Sequence, residues 1–144
     1  VMGTRCGDVD PALVTHIMHI KNLDTKQMDL ILNKESGLKG ISGISNDMRL
    51  LEEKASAGNK RAKLAVDIFV YRVRKYIGAY LSVLGRLDAL IFTAGIGENQ
   101  PSIRKSICRG LFDCLGNKPK VMVIPTNEEL MIARQTYKLI RSGG

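Results

Sequence analysis

One stretch, residues 90–104, constrains the fold more than any other because it predicts a strand, a glycine-rich turn and a helix start in direct succession. Residues 89–93 form a short apolar run that favours a strand, and the run ends where Gly95 and Gly97 permit positive φ angles and close backbone approach. Pro101 suits the first turn of a helix, since an N–H has no helical partner there. Such a junction directs free N–H groups at whatever lies over the turn, which favours an anion or a nucleotide.

The spacing of this turn matches neither common phosphate-binding fingerprint. A dinucleotide-binding loop requires a third glycine where this chain has Gln100, and no Gly-Lys-Ser/Thr of a Walker loop follows the turn. Taken alone, the turn is equally compatible with nucleotide binding and with an ordinary strand-to-helix connection.

The composition restricts the class of protein that this chain can form. The 144 residues are 44% hydrophobic and 25% charged, which is ordinary for one domain with a core. No apolar run approaches the roughly 18 residues of a membrane span, and no signal peptide opens the chain. We therefore expect a cytoplasmic protein without a membrane partner.

The formal net charge of +8 suggests an anionic partner. Nucleic acid is the first candidate, but the basic residues are dispersed, aromatic residues make up only 5%, and no nucleic-acid-binding signature occurs. A phosphate-bearing small molecule, or an acidic part of the protein outside this chain, explains the charge equally well. We expect no nucleic acid partner.

The opening residues place an arginine between two glycines. Arg5 lies between Gly3 and Gly7, and Asp10, directly before a proline, has the pattern of a helix cap. A guanidinium in such a turn can bind phosphate or carboxylate through two parallel hydrogen bonds. The spacing is equally compatible with a surface arginine that is paired with Asp8.

Helical patterns fill most of residues 11–85. Asp47 begins a short helix, in which the acid can cap the helix and Arg49 can face solvent. From Asn59 to about Gly85, apolar residues recur at steps of three and four, with Arg74 away from this stripe. This spacing predicts a long core helix.

The last part of the chain predicts a second strand and a final helix. Residues 120–124 form an apolar run that indicates a buried strand, and Thr126 with Glu129 has the spacing of a capping box. That spacing leaves Glu128 free at a strand end, where a carboxylate can face a metal or a ligand or can simply interact with the helix dipole. Strands followed by helices, with ligand-type turns at the strand ends, indicate an α/β domain.

Four separated segments carry a more specific signal: GTRCGDVDP at 3–11, KESG at 34–37 with SNDMR at 45–49, FTAGIGEN at 92–99, and IPTNEE at 124–129. Together and in this order they closely resemble the C-terminal portion of the acetate kinase family, including its propionate and butyrate kinase members. The resemblance covers essentially the whole chain and is loosest at residues 110–120.

The resemblance implies a fold and an activity. The fold would be the ribonuclease-H-like ATPase fold of actin and the sugar kinases, with a mixed sheet, flanking helices and two domains that close over ATP. Residues 1–144 would form the C-terminal nucleotide-binding domain without its N-terminal partner, and the final helix, residues 128–144, would pack toward that missing domain. The activity would be reversible transfer of the ATP γ-phosphoryl group to a short-chain carboxylate such as acetate, giving acyl phosphate and ADP with Mg²⁺, by a homodimer.

The resemblance also implies residue roles. Arg5 corresponds to the arginine that stabilises the transferring phosphoryl group, and Glu128 to the glutamate associated with Mg²⁺. The segment that contacts the adenosine corresponds to Asp47, Met48 and Arg49. The turn that holds the nucleotide corresponds to Gly95, Ile96, Gly97, Glu98 and Asn99.

Three departures from the family pattern set limits on these expectations. Ala94 stands where relatives usually carry another glycine, the span from Phe112 to Lys120 is shorter than expected, and the catalytic residues of the N-terminal domain have no counterpart in this chain. We expect the 144-residue chain alone to be catalytically inactive and to retain weak nucleotide affinity. Two alternatives stay open: a preference for propionate or butyrate, and a non-catalytic nucleotide-binding or dimerisation module.

Overall fold

The computed structural model describes residues 1–113, 115–116 and 118–142. Cys114 and Asn117, in the span expected to be short, and residues 143–144, at the end of the predicted final helix, lie outside the described residues. The described elements are, in chain order, α1 (Pro11–Lys21), α2 (Thr25–Lys34), α3 (Gly37–Ser42), α4 (Met48–Ser56), α5 (Lys60–Leu84), β1 (Ala89–Phe92), α6 (Ala94–Asn99), α7 (Pro101–Cys108), β2 (Lys120–Val123) and α8 (Glu128–Ser142).

Side-chain caps begin several helices, as the sequence predicts. The Asp10 carboxylate accepts a hydrogen bond from the Ala12 N–H at 2.8 Å, and the Asn59 side chain accepts one from the Ala62 N–H at 2.9 Å. Each bond satisfies an N–H group that has no partner within the helix. At its other end α5 stops at Gly85, whose φ of 73° favours glycine.

The core forms where α5 packs against α3, α4 and α7. Ala62 and Ala65 are fully buried on α5, and their small side chains allow close approach by neighbouring helices. The other buried members of this core cluster are Leu38, Met48, Leu51, Phe92, Ile103 and Ile107. The predicted core helix is therefore confirmed, and it supports β1 and α7 from one side.

The two described strands pair in parallel, with Ala89 opposite Lys120 and Phe92 opposite Val123. Because α6 and α7 connect them, this part of the chain is a strand–helix–strand unit, and the α/β class is confirmed. The prediction that the second strand is buried is wrong: every residue from 120 to 142 is exposed. β2 pairs with β1 along one edge, and this pairing leaves its side chains exposed.

The glycine turn also differs from its sequence-based prediction. Residues 94–99 form the short helix α6, and the positive φ falls on Ala94, at 59°, rather than on Gly95 or Gly97. A Cβ at Gly95 would meet no atom within 4 Å, so this residue faces open space. Among the described helices, none has the length and apolar character needed to cross a membrane.

Candidate functional site

A cavity of about 640 Å³ separates the start of α4 from α6. Its lining residues are Asn46, Asp47, Met48, Arg49, Gly95, Ile96, Asn99 and Gln100. The structure thus brings together two segments that are more than forty positions apart in the sequence and that were predicted separately to contact a nucleotide. We call this space the adenosine-side cavity, after the contact that the resemblance implies for Asp47, Met48 and Arg49, and it is the first half of the candidate site.

The three predicted residues on α4 differ in what their side chains can offer. Asp47 caps the helix, since its Oδ1 accepts from the Arg49 N–H at 2.9 Å, and the Arg49 Nη2 lies 3.4 Å from Oδ2. The backbone N–H and then the guanidinium of Arg49 hold the pKa of Asp47 below its ordinary value. Arg49 is highly exposed, whereas the Met48 side chain is only 3% exposed and belongs to the core. Arg49 therefore has the most exposed charged side chain of the three, and its guanidinium is paired with Asp47.

Hydrogen bonds from two side chains hold α6 in shape. The Asn99 side chain donates to the Gly95 carbonyl at 2.9 Å. From α7, the Arg104 Nη1 donates to the carbonyls of Gly97 and Glu98 at 2.9 and 2.8 Å. These bonds satisfy carbonyls at the end of a very short helix, which fixes the position of the turn relative to α7.

A second cavity, of about 420 Å³, lies on the other side of Gly95. Its lining residues are Ala94, Gly95, Glu98, Thr126, Asn127, Glu128 and Glu129. Three of these carry carboxylates, and we call this space the acidic cavity. Since both cavities reach Gly95, an elongated ligand that crosses this residue can occupy both.

The Glu98 carboxylate is hydrogen-bonded within the protein and does not line the adenosine-side cavity. Its Oε1 accepts hydrogen bonds from the N–H and the hydroxyl of Thr126, at 2.8 and 3.0 Å. The backbone N–H of Thr126 and then its hydroxyl lower the pKa of Glu98 below its ordinary value. The Thr126 oxygen also accepts from the Ala94 N–H at 3.0 Å. Glu98 thereby links α6 to the connection between β2 and α8.

These bonds overturn the predicted capping box. Asn127 caps α8 instead, since its Oδ1 accepts from the Leu130 N–H at 3.0 Å. Thr126 lies one residue before this cap, and its hydroxyl oxygen accepts from the Ala94 N–H. Within the described residues, neither Glu128 nor Glu129 has a hydrogen bond or an ion pair to its carboxylate, so local structure alone does not separate the two acids.

Arg5 lies in a loop that the backbone of α2 and α3 holds in place. The Cys6 N–H donates to the Leu32 carbonyl at 2.9 Å, and the Thr4 and Met2 carbonyls accept from this helical region at 2.9 and 2.8 Å. Gly37, at φ 62°, allows this approach because a Cβ there would lie 2.3 Å from the Met2 carbonyl oxygen. The loop reaches the adenosine-side cavity at Gly3, where a Cβ would lie 3.5 Å from that of Asn46. The Arg5 side chain is exposed and lines neither cavity.

Sequence reasoning missed several residues of the site. Asn46 and Gln100 line the adenosine-side cavity. Asn46 lies in the SNDMR segment and Gln100 follows the glycine turn, but neither was assigned a role. Thr126 was expected to cap a helix, but it lines the acidic cavity and bonds Glu98 and Ala94 of α6. Among the described residues, no group of three or more His, Cys, Asp or Glu side chains is arranged to hold a metal by itself.

Comparisons with known proteins point to one family. The model of the acetokinase family matches residues 1–118. The acetate kinase of Heliobacterium modesticaldum is 49% identical over 160 residues, which cover 98% of this chain and 40% of that protein. Among solved structures, a Porphyromonas gingivalis acetate kinase superimposes with a TM-score of 0.83 at 38% identity, covering 96% of this chain and 40% of that one. A propionate kinase from Francisella tularensis superimposes with a TM-score of 0.85 at 41% identity, covering 92% and 39%.

The chain spans about two fifths of the length of the relatives that it matches. It is also shorter within the matched region, since 98% of 144 residues is about 141 residues whereas the alignment is 160 residues long, a difference of about 19. This difference accords with the expected short span between Phe112 and Lys120, close to where the family match ends.

Proposed function

This chain belongs to the acetokinase family, and from that membership we propose that its protein transfers the γ-phosphoryl group of ATP to a short-chain carboxylate, with acetate as the first candidate. A carboxylate oxygen attacks the γ-phosphorus, the bond from the γ-phosphorus to the β,γ-bridging oxygen breaks, and acyl phosphate and ADP leave. The reaction is reversible. Because the chain spans about two fifths of its relatives' length, the activity is proposed for the full-length gene product.

One observation carries the proposal: the adenosine-side and acidic cavities meet at Gly95. We place the adenosine between Arg49 and α6, and the phosphates across Gly95 toward Glu128. The open space beside Gly95 supports this placement, since a Cβ there would meet nothing and a ligand can approach the backbone closely.

Arg5 would stabilise the phosphoryl group during transfer. Phosphoryl transfer depends mainly on positioning and on charge stabilisation, for which a guanidinium offers a fixed fork of donors. Two features support this role: the guanidinium is exposed, and it has no hydrogen bond or ion pair with any described residue. Its backbone is nevertheless held by hydrogen bonds to α2 and α3, so only the side chain has to become ordered when a phosphate binds.

The acidic cavity fits Mg²⁺ bound together with ATP. Mg²⁺ is usually held by one or two carboxylates and by substrate phosphates rather than by a complete protein cage. Glu98 is engaged with Thr126, so the unpartnered carboxylates of Glu128 and Glu129 are the available ligands, and we assign the role to Glu128. When bound, the ion would neutralise charge on the phosphates.

The remaining assignments concern the whole protein. We propose that residues 1–144 are the C-terminal nucleotide-binding domain, that residues 128–144 pack toward an N-terminal domain, and that the enzyme is a cytoplasmic homodimer. The exposure of every residue from 120 to 142 supports a covering partner for this region.

The test is acyl phosphate formation by the full-length gene product with acetate, propionate and butyrate in parallel. We expect the variant Arg5→Ala to lose about 10³-fold or more in kcat, since arginines with this role contribute about that much. Arg86→Ala, which removes another exposed arginine, should retain wild-type turnover. Undiminished turnover of Arg5→Ala would refute the role of Arg5.

The glutamates provide a matched pair. We expect Glu128→Ala to raise the Mg²⁺ concentration needed for half-maximal rate and to lower kcat by about 10² or more, and Glu129→Ala to change either value by less than about threefold. The reverse order would assign the metal to Glu129.

Faster turnover with propionate or butyrate would identify those acids as substrates, and nucleotide binding without transfer to any of the three would support the non-catalytic module. Acetyl phosphate formation by the 144-residue chain alone would contradict its expected inactivity.

A further inference from the structure

The Asp8 carboxylate lies against α5. Its Oδ2 accepts hydrogen bonds from the Arg72 Nη2 and from the Tyr76 hydroxyl, which are 64 and 68 positions away in the sequence. The two donors also contact each other, since the guanidinium carbon of Arg72 lies 5.8 Å from the centre of the Tyr76 ring. Arg72 is largely buried, at 22% side-chain exposure. One side of the Asp8 carboxylate is therefore occupied by the Arg72 guanidinium and the Tyr76 hydroxyl.

Within the described residues, the same structure leaves the Arg5 guanidinium without a hydrogen bond or an ion pair. Arg5 and Asp8 are three residues apart, so their Cα atoms are at most about 11 Å apart even in a fully extended chain, and Gly7 at φ 73° bends the segment. An arginine and an aspartate side chain can span that distance. Asp8 is therefore the nearest acid in the sequence that could pair with Arg5, and it is engaged elsewhere.

Anchoring the loop does not by itself require this arrangement. Backbone hydrogen bonds already tie residues 2–6 to α2 and α3, and Asp10 separately caps α1. What the α5 contacts add is occupation of the carboxylate that is nearest to Arg5 in the sequence. The Tyr76 hydroxyl and then the Arg72 charge also lower the pKa of Asp8 below its ordinary value, because both stabilise its ionised form.

We infer that Arg72 and Tyr76 are positioning residues that hold Asp8 away from Arg5 and so keep the Arg5 guanidinium available to the phosphoryl group. The inference rests on the proposed role of Arg5. Without Arg72, the Asp8 carboxylate would be released to pair with Arg5, in competition with Lys75, whose charge also acts on Asp8, and a phosphate would have to displace it.

The test uses a rescue experiment in the full-length gene product. We expect Arg72→Met to lower kcat by about tenfold or more, with little change in the KM for ATP, because Arg5 acts on the transferring group. Tyr76→Phe, which removes one of two donors, should have a smaller effect of about threefold. The double variant Asp8→Asn/Arg72→Met should recover to within about threefold of wild type, since its amide cannot form an ion pair with Arg5.

A merely structural role for the α5 contacts predicts the opposite result. Asp8→Asn cannot restore an anchor that has lost Arg72, so the double variant would then be as slow as Arg72→Met, and this outcome would overturn the inference. Thermal unfolding of each variant identifies any that fail to fold.

A second measurement is independent of activity. Phenylglyoxal modifies free guanidinium groups, and its rate at Arg5 can be followed by peptide mass spectrometry. We expect Arg72→Met to slow modification of Arg5 several-fold and the double variant to restore the wild-type rate. An unchanged rate in Arg72→Met would refute the inference even if Arg5→Ala abolishes turnover. Normal turnover in Arg5→Ala would refute the proposed function of Arg5 instead.

Discussion

Ala94 carries a backbone conformation that L-residues rarely adopt. Its φ of 59° lies in the left-handed region, directly after β1, where its N–H donates to the Thr126 hydroxyl oxygen at 3.0 Å. The left-handed region costs an L-residue roughly 1–2 kcal/mol because Cβ crowds the backbone. The turn between the two cavities is therefore held in a strained conformation by the contacts of a residue 32 positions away.

Replacing Ala94 with glycine should relieve this strain. We expect Ala94→Gly to leave the free energy of unfolding unchanged or to raise it by up to about 1 kcal/mol, since the relief exceeds the added entropy of the unfolded chain. Ala79→Gly, at an exposed position inside α5, is the matched control and should lose about 1 kcal/mol. Chemical denaturation measures both free energies of unfolding. Equal losses in the two variants would show that the backbone at Ala94 is not strained.

Glu98 makes the free energy of unfolding depend on pH in the acidic range. Because Thr126 lowers the folded-state pKa of Glu98 below its ordinary 4.5, the bond contributes stability above that pH, and the contribution is lost as pH falls through the folded-state value. The difference in unfolding free energy between wild type and Glu98→Gln should be largest near pH 7 and shrink below about pH 4.5. Glu129→Gln, whose carboxylate has no described hydrogen bond, is the control. A constant difference between pH 7 and pH 3 would contradict the link to Thr126.

At the level of elements, α5 organises the described chain. Its apolar stripe packs on α3, α4 and α7, and Arg74, which lies off the stripe, reaches across to α7. The Arg74 Nη1 donates to the carbonyls of Ser106 and Ile107 at 3.3 and 2.9 Å and to that of Arg109 at 2.5 Å. A guanidinium therefore satisfies the carbonyls at the end of α7 and complements its dipole.

Loss of Arg74 should weaken the packing of α7 on α5. We expect Arg74→Met to lower the free energy of unfolding by about 1–3 kcal/mol, because half-buried carbonyls lose a charged donor. Arg134→Met, at an exposed position of α8, should change it by less than about 0.5 kcal/mol. Chemical denaturation of both variants checks this, and equal effects would indicate that the α7 carbonyls find water as a sufficient partner.

At the level of the whole molecule, the chain has one well-packed part and one exposed part. The core lies among α3, α4, α5, α7 and β1, whereas Val121 and Val123 of β2 are 49% and 42% exposed, and Leu139 and Ile140 of α8 are both 72% exposed. Parallel strands are normally covered on both faces. This exposure supports the proposal that residues 128–144 pack toward another domain of the full-length protein.

Amide hydrogen exchange tests that proposal. In the 144-residue chain, amides of α8 should exchange at least about 100-fold faster than those of residues 62–77 in α5, since α8 has no buried residue to hold it closed. In the full-length gene product, exchange in α8 should slow toward that of α5. Equal protection of α8 in both proteins would contradict a partner for this helix.

The sequence by itself determined the parts of this protein whose physics is local. Asp10, Asp47 and Asn59 cap the helices that they precede, Gly85 ends α5, and the apolar spacing of α5 identifies the core helix, because each of these interactions joins residues within a few positions of one another. The tertiary structure alone decided which distant groups meet: Thr126 with Glu98 rather than as a helix cap, Asp8 with Arg72 and Tyr76 rather than with Arg5, and Arg74 with the end of α7. A hydrogen-bonding side chain bonds the partner that packing brings nearest, and the distance between two residues in the folded chain cannot be read from their spacing in the sequence.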